Sequence, residues 1–356
     1  MNKPDQEQLD FILNSAILAP SADNQHRIRF QIDGDIIRIC NTENELPREK
    51  GYKRVLTLMS LGALLENLAI AASRFRIGAE ILLFPDPAQS PVIAEIRLHS
   101  DQANIDPLWE VIPLRHTNRR LRFSGPGMTD TERSELNEAC HVNSTTYKPV
   151  WFDNSPERKR VLRLMRIAET ERFHNHLLHS ELFAAVRFDV GWHSTCAEGL
   201  PPGALGVEAP MRFLFSSLRH WSVMRMANLL GTHHMLGFRA CYLPCSLAPH
   251  LGLLAVESID TQSVLNAGRA FQRLWLAVTS QDRVLQPMPA SALYALDGAC
   301  DEGIPGSLQN ELAENWKAIL ASGMTPLMLF RIGKAQPSPI NTGRHDLSQY
   351  LDKNNG

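Results

Sequence analysis

An α+β fold is what this sequence predicts, on three observations. IRFQI (28–32) and IIRIC (36–40) flank Asp33-Gly34-Asp35, and an Asp-Gly pair supplies the positive φ that a tight hairpin needs. Residues 56–76 place Leu61, Leu64, Leu65, Leu68, Ile70 and Ala72 so that only a narrow polar strip is left, as in a helix buried on most sides. A second apolar helix is expected at 261–281, followed later by the strand PLMLFRIG at 326–333.

Size and composition bound the rest. The chain has 356 residues, 44% apolar and 21% charged, which fits one large domain or two ordinary ones and excludes whole-chain disorder, collagen or coiled coil. Lys+Arg 36 against Asp+Glu 38 leaves no positive excess for a polyphosphate, so nucleic acid is not an expected partner. The six cysteines are scattered, and a chain of this size builds a core without staples, so reduced thiols in a cytoplasmic protein are expected. MNKPDQEQLD lacks the basic start and apolar run of a signal peptide, and no uninterrupted apolar stretch approaches the ~18 residues of a membrane span. No membrane partner is expected.

In chain order, a first helix is expected at 5–18, with Leu9, Ile12, Leu13, Ala16 and Ile17 on one face and Pro20 stopping it. The hairpin follows, then the buried helix, which Gly78 is placed to end, then strands at 79–84 and 92–98. A short amphipathic stretch at 106–114 leads to the loop 115–120. Thr129 and Glu132 have capping-box spacing for the next helix. A strand is expected at 146–152 and helices at 155–170 and 171–187. The Gly- and Pro-containing segment 189–210 reads as an ordered loop or lid. Helices at 211–236 and 261–281, a loop at 286–289, a helix at 305–322 and the strand 326–333 complete the chain. Gly62 to Ser73 and Gly268 to Thr279 match in their glycine and apolar positions at an offset of 206. Two compositionally similar buried helices or a duplicated half-domain would both produce this echo.

The densest cationic cluster is Arg115-His116-Thr117-Asn118-Arg119-Arg120. A solvated loop can have that composition, but guanidiniums also offer planar paired donors to a phosphate or an anionic ring edge. Pro20-Ser21-Ala22-Asp23-Asn24-Gln25 suits a helix-stop turn, and equally presents hydroxyl and amide groups to a polar ligand. His174, His176, His179 and the His233-His234 pair near Cys241 and Cys245 lack the second half of a structural zinc motif, so no metal is assigned. Signatures of serine hydrolases, P-loops, dinucleotide-binding Rossmann folds and zincins are all missing from the sequence.

Together these segments resemble the FMN-binding nitroreductase superfamily, and within it the Acg-like branch, in which one chain carries two nitroreductase-like halves. The likeness runs from about residue 8 to 350, through A-P-S-x-x-N-Q at 19–25, Ser60-Leu61-Gly62-Ala63 and R-H-T-N-R at 115–119. It continues through Glu181 to Arg187, Glu198-Gly199-Leu200-Pro201, G-R-A-F-Q-R-L-W-L at 268–276, Q-P-M at 286–288, Arg331-Ile332-Gly333 and Arg344. The resemblance implies a mixed or antiparallel sheet covered by helices, in two pseudo-repeated halves at 1–105 and 106–356, with a lid near 189–210. Carried over by position, Arg115, His116, Thr117 and Arg119 would contact the flavin phosphate, ribityl chain and pyrimidine edge. Pro20, Ser21 and Asn24 would lie against the flavin from the opposite half; Gln286, Pro287 and Met288 would border its N5 edge; Arg344 would add a phosphate contact. The chain departs from the family at His26-Arg27, where Pro-Trp is usual, and at Arg344, which stands without a second adjacent cation.

The resemblance therefore implies FMN as cofactor, NAD(P)H as reductant, and a small planar acceptor such as a nitroaromatic or quinone. The flavin performs the transfer, so no catalytic side chain is required. The alternative is a flavin-sequestering protein whose lid excludes substrate. A homodimer is compatible with either.

Overall fold

The computed structural model describes residues 4–42, 51–85, 91–100, 103–153 and 155–352. It is an α+β protein built on two four-stranded antiparallel sheets. Helix α1 (Gln6–Ile17) starts on a capping box between Asp5 and Gln8. In the hairpin of β1 (Ile28–Asp33) and β2 (Ile36–Asn41), Asp33 pairs with Ile36, leaving Gly34 at φ 67° to make the turn. Helix α2 (Gly51–Ser73) is long and apolar enough to cross a membrane, yet 78% of its most apolar stretch is buried inside the protein. It does not end on Gly78 as expected. The chain reverses at Arg76, which takes φ 58°, and Gly78 lies within β3 (Ile77–Leu83), opposite His99 of β4 (Val92–Ser100).

A 3-10 segment, Pro107–Leu114, leads through the loop 115–120 to α3 (Asp130–Ala139), capped by Thr129 and Glu132 as their spacing predicts. The strand expected at 146–152 is broken: β5 (His141–Val142) pairs with β6 (Thr145–Thr146), and only β7 (Val150–Trp151) joins a main sheet. Helices α4 (Arg158–His174) and α5 (His176–Ala184) divide at Asn175, whose side chain accepts from the Leu177 amide and caps the second. The single helix expected at 211–236 is three: α6 (Arg212–Leu218), α7 (Trp221–Asn228) and α8 (Thr232–Gly237). The second break falls at Gly231, in the left-handed region at φ 79°, where the Asn228 side chain accepts from the His233 amide. A π turn, Phe238–Tyr242, runs into the one-turn helix α9 (Leu243–Ser246).

Strand β8 (His250–Val256) was not anticipated. Every residue in it is buried, so it shows no alternation to distinguish it from a loop or helix segment. After α10 (Thr261–Ser280) the expected loop at 286–289 is partly the strand β9 (Val284–Pro287), where Pro287 is tolerated near the sheet margin. The short α11 (Ala290–Leu293), α12 (Gly306–Ile319) and β10 (Thr325–Gly333) close the fold.

The sheet orders are β1-β2-β4-β3 and β7-β8-β10-β9. In each, a buried helix links the second strand to the third of the set: α2 in the first, α10 in the second. These two helices pack against each other at a glycine crossing. A Cβ on Gly62 would stand 2.1 Å from the Leu265 carbonyl oxygen, and one on Gly268 would stand 2.4 Å from that of Met59. Beside the crossing, buried Glu66 receives Arg269 at 2.7 Å and Arg273 at 2.8 Å, and Gln272 donates to Asn67 at 2.7 Å. Glu66 thus has two cationic partners, the condition under which a buried carboxylate is tolerated.

Segments cross between the sheets as well. Thr117 forms a parallel bridge to Leu285 of β9, while Leu351 in the C-terminal tail bridges in parallel to Phe30 of β1. The tail is fixed there by the Phe30 amide donating to Tyr350 O at 2.7 Å and the Asp352 amide to Phe30 O at 3.0 Å. The loop 115–120 is consequently held on the edge of the second sheet, close to α10, with Arg115 4.6 Å from the Trp275 ring centroid.

Candidate functional site

A cavity of about 770 Å³ lies against one side of the α2–α10 pair. Tyr52, Leu56, Met59, Ser60 and Ala63 line it from one helical face of α2, and Phe271 and Trp275 from α10. Met165, Glu169 and Arg172 of α4, the segment from Gln286 to Ser291, and Met328 and Arg331 of β10 complete much of the wall. The lining is largely apolar and aromatic with a few polar groups, the makeup of a site for a sizeable organic ligand.

Of the residues named from sequence, Pro20, Ser21, Thr117, Arg119, Gln286, Pro287 and Met288 line this cavity. They come from three distant parts of the chain. Arg115, His116, Asn24 and Arg344 do not line it. Arg115 and Arg344 instead hold the C-terminal end of α1: Arg115 Nη2 donates to Leu18 O at 3.0 Å, and Arg344 donates to Ile17 O and to Ala19 O, each at 2.6 Å. Arg344 also donates to the Asn24 side-chain oxygen, while Asn24 donates to Ala197 O at 3.2 Å. A helix C-terminus is the negative end of its dipole, so it suits two guanidiniums. Together they pin Pro20 to Asn24, with Asp23 and Asn24 both at positive φ, in the shape that faces the cavity. His116 is exposed.

Three polar groups in the wall have no hydrogen-bond or ion-pair partner among the described residues. The Arg119 guanidinium makes no hydrogen bond or ion pair among the described residues, and burial lowers its pKa to about 10 although the Asp23 charge opposes this. It stays protonated at neutral pH. The hydroxyls of Ser21 and Ser291 are buried and unpartnered. Buried donors in a folded protein are almost always satisfied, so the two hydroxyls beside the Arg119 guanidinium suit a ligand with several oxygens.

Gln286 is a fourth donor, oriented from behind. Arg331, 1% exposed, donates to its side-chain oxygen from Nε at 2.9 Å and from Nη2 at 2.7 Å. That fixes the amide so that its NH₂ is left for the cavity. Arg331 has no carboxylate partner; its other donors reach the carbonyls of Leu121 and Pro244 and its face lies over Phe123, 3.8 Å from the ring centroid. Burial lowers its pKa to about 10. Elsewhere in the wall the charges are matched: Glu169 with Arg172 at 3.3 Å, Glu208 with Arg239, and Glu181 with Lys53 at 2.6 Å. Among the described residues, Arg119 and Arg331 are the guanidiniums of the wall without an ion-pair partner, and the Asp23 carboxylate, also in the wall, offsets part of the Arg119 charge.

Part of the Gly/Pro-containing segment closes the cavity. Leu200, Leu205, Gly206, Val207 and Met211 are in the wall. Gly206, at φ 72°, brings its backbone so near the loop that a Cβ there would sit 2.3 Å from the Arg119 carbonyl oxygen. Sequence reasoning missed Trp275, Phe271, Arg331, Ser291 and Glu169 as cavity residues. Arg331 alone carried a signal, as an arginine inside an otherwise apolar strand. The histidines and cysteines weighed for zinc form no group of three or more metal-binding side chains among the described residues.

The α1 cluster has a pH consequence. His26 Nε2 donates to Ala19 O at 3.0 Å, and burial together with the Arg344 charge depresses its pKa to about 3. The unfolded chain takes up this proton near pH 6.5, whereas the folded chain does not until about pH 3. Its stabilising effect is complete above pH 6.5 and is lost as pH falls, by up to ~1.4 kcal/mol per pH unit. His26→Gln is expected to flatten the fall in urea midpoint between pH 7 and pH 5; an unchanged slope would place the acid sensitivity elsewhere.

Comparison with family models and with curated proteins gives no match. Solved structures do give partial overlays. The FMN-dependent nitroreductase NfnB of Mycobacterium smegmatis, in complex with NADPH, is 18% identical over 67% of this chain and 94% of its own, with a TM-score of 0.39. A nitroreductase with bound FMN from Bacteroides fragilis is 10% identical over 67% and 94%, with a TM-score of 0.37. A BluB-like flavoprotein from Clostridium difficile 630 is 8% identical over 68% and 97%, with a TM-score of 0.39.

Proposed function

We propose that this chain is an FMN-dependent oxidoreductase that takes reducing equivalents from NAD(P)H and delivers them to a nitroaromatic, quinone or similar planar acceptor. The observation that carries the reading is the set of unpartnered donors, Arg119, Ser21 and Ser291, in a cavity otherwise walled by apolar and aromatic side chains. FMN matches that wall in kind: a flat apolar ring system with polar edges, a polyhydroxyl chain and a phosphate dianion. When bound, it supplies the chemistry by accepting a hydride from NAD(P)H and passing two electrons to the acceptor.

The chain's own residues then have binding roles. Arg119 neutralises anionic charge, and the Ser21 and Thr117 hydroxyls add hydrogen bonds. The Gln286 amide, held by Arg331, donates to the ring edge, and Pro20, Pro287, Met288 and Trp275 enclose its faces. Arg115, Asn24 and Arg344 set the shape of the 20–24 loop, and the two guanidiniums add positive potential behind it; His116 keeps no role beyond that of an exposed neighbour of Arg115. No side chain is needed as nucleophile or general base. We read the chain further as two similar halves, 1–105 and 106–356, with one flavin between them in a cytoplasmic protein. The matching sheet orders and the reciprocal Gly62–Gly268 crossing support that arrangement.

A second reading, flavin sequestration, takes the 189–210 segment as a lid over the flavin; the close seat of Gly206 on the Arg119 backbone supports it. Anaerobic mixing of the FMN-loaded protein with NADH or NADPH separates the two. Bleaching of the flavin band, followed by rapid return of colour on adding a quinone or nitroaromatic, is the expected result. No bleaching with either nucleotide, and slow reoxidation after photoreduction, would replace the enzyme with the sequestering protein.

A further inference from the structure

We propose that the outward face of α6–α8 docks on an anionic phospholipid bilayer. This segment has two apolar faces. One closes over a small core of Phe173, Phe183, Leu218 and Met224, separate from the main core. The other is turned to solvent: Phe213 and Leu229 are 85% exposed and Leu230 is 89% exposed. Met226 of α7 and Met235 of α8 are exposed as well. Leu229 and Leu230 stand at the tip between α7 and α8, just before the left-handed Gly231. Single exposed apolar residues are ordinary, but a concentration of large ones on consecutive helices marks an interaction face.

Charge identifies the partner. No Asp or Glu occurs between Glu208 and Glu257, while Arg212, Arg219, Arg225 and Arg239 all fall in that interval. Only Arg239 has a carboxylate partner, Glu208, among the described residues. Arg212 lies over Trp192 at 5.0 Å and Arg219 over Phe188 at 5.2 Å, contacts that leave the positive charge uncancelled. A second copy docking by two-fold symmetry would set these arginines against themselves, which is repulsive. An anionic bilayer complements both features at once, with headgroups receiving the arginines and the acyl boundary receiving the leucines, phenylalanine and methionines. The whole-chain charge of −2 conceals this because it averages an acid-free segment with an acid-rich remainder. Phe213, Arg219, Arg225, Leu229 and Leu230 do not line the cavity, so a test made on them does not depend on what the cavity holds.

Co-sedimentation with vesicles tests it, using phosphatidylcholine alone and phosphatidylcholine with one third phosphatidylglycerol. Binding to the anionic vesicles is expected to exceed that to the neutral ones by about tenfold and to weaken as salt is raised. Leu229→Asp with Leu230→Asp should lower binding about tenfold or more, and each of Arg219→Glu and Arg225→Glu about fivefold or more. All four side chains are exposed, so unchanged thermal midpoints are expected and the arginine pair provides a second route if the leucine pair misfolds. Equal or absent binding to the two vesicle types would overturn the proposal, as would unchanged binding by the variants. So would a dimer in sedimentation velocity that the leucine variant returns to monomer without any vesicle binding.

Discussion

Replacing Arg119 with alanine is expected to weaken FMN binding by ~1.5–3 kcal/mol, roughly 10- to 150-fold, while leaving thermal stability nearly unchanged. The two halves of that expectation have one cause. The guanidinium is cavity-facing and without a hydrogen bond or ion pair among the described residues, so its removal costs only the weaker attraction to Asp23 and relieves some desolvation. Against an anionic ligand the same group would make charged hydrogen bonds in a partly dehydrated setting, where they are strongest. Arg115→Ala differs. It should weaken FMN binding less than Arg119→Ala does, by loosening the 20–24 loop, and it should lower the melting temperature, because Arg115 donates to Leu18 O and lies 4.6 Å from the Trp275 ring centroid. Fluorescence titration with FMN beside a thermal melt separates the two variants. Full flavin affinity in Arg119→Ala would remove the loop from the binding site.

Gly268→Ala is expected to be strongly destabilising for a single added methyl, costing about 3 kcal/mol or more. Its Cβ would lie 2.4 Å from Met59 O and 2.6 Å from Met59 Cα, both backbone atoms in the middle of a buried helix. Neither can yield as a flexible side chain can, so α2 or α10 must move as a unit. That movement displaces Met59, Phe271 and Trp275, all in the cavity wall, and a loss of flavin affinity should accompany the loss of stability. Gly62→Ala should behave alike, since its Cβ would lie 2.1 Å from Leu265 O. Urea unfolding measures the cost; a loss below about 1 kcal/mol would mean that the helices are not in backbone contact.

Much of the α+β framework could be read from local signals. Asp33-Gly34 announced the first hairpin and Thr129 with Glu132 the start of α3, because turns and caps depend on a few neighbouring residues. The apolar stripes of α2 and α10 were equally plain. Strand β8 escaped because both its faces are covered, leaving seven buried residues without a period. The breaks within 211–236 escaped because Gly231 and Asn228 act through backbone geometry that apolar periodicity does not report. At the cavity, Pro20, Ser21, Thr117, Arg119 and Gln286 could be named from motif resemblance. Trp275, Ser291 and Glu169 could not, since only packing distinguishes a cavity-facing side chain from its neighbours on the same helix. The positioning tasks of Arg344 and Arg331, one on the α1 carbonyls and the other on Gln286, likewise follow from contacts across more than forty residues of sequence.

The most direct measurement of the central claim is a flavin-fluorescence titration of the purified protein with FMN, read for stoichiometry as well as affinity. The cavity beside α2 and α10, with its unpartnered donors, predicts saturable quenching at one FMN per chain, weakened 10- to 150-fold in Arg119→Ala. Fluorescence that stays at the free-flavin level as protein is added, at concentrations where the chain is folded, would contradict it.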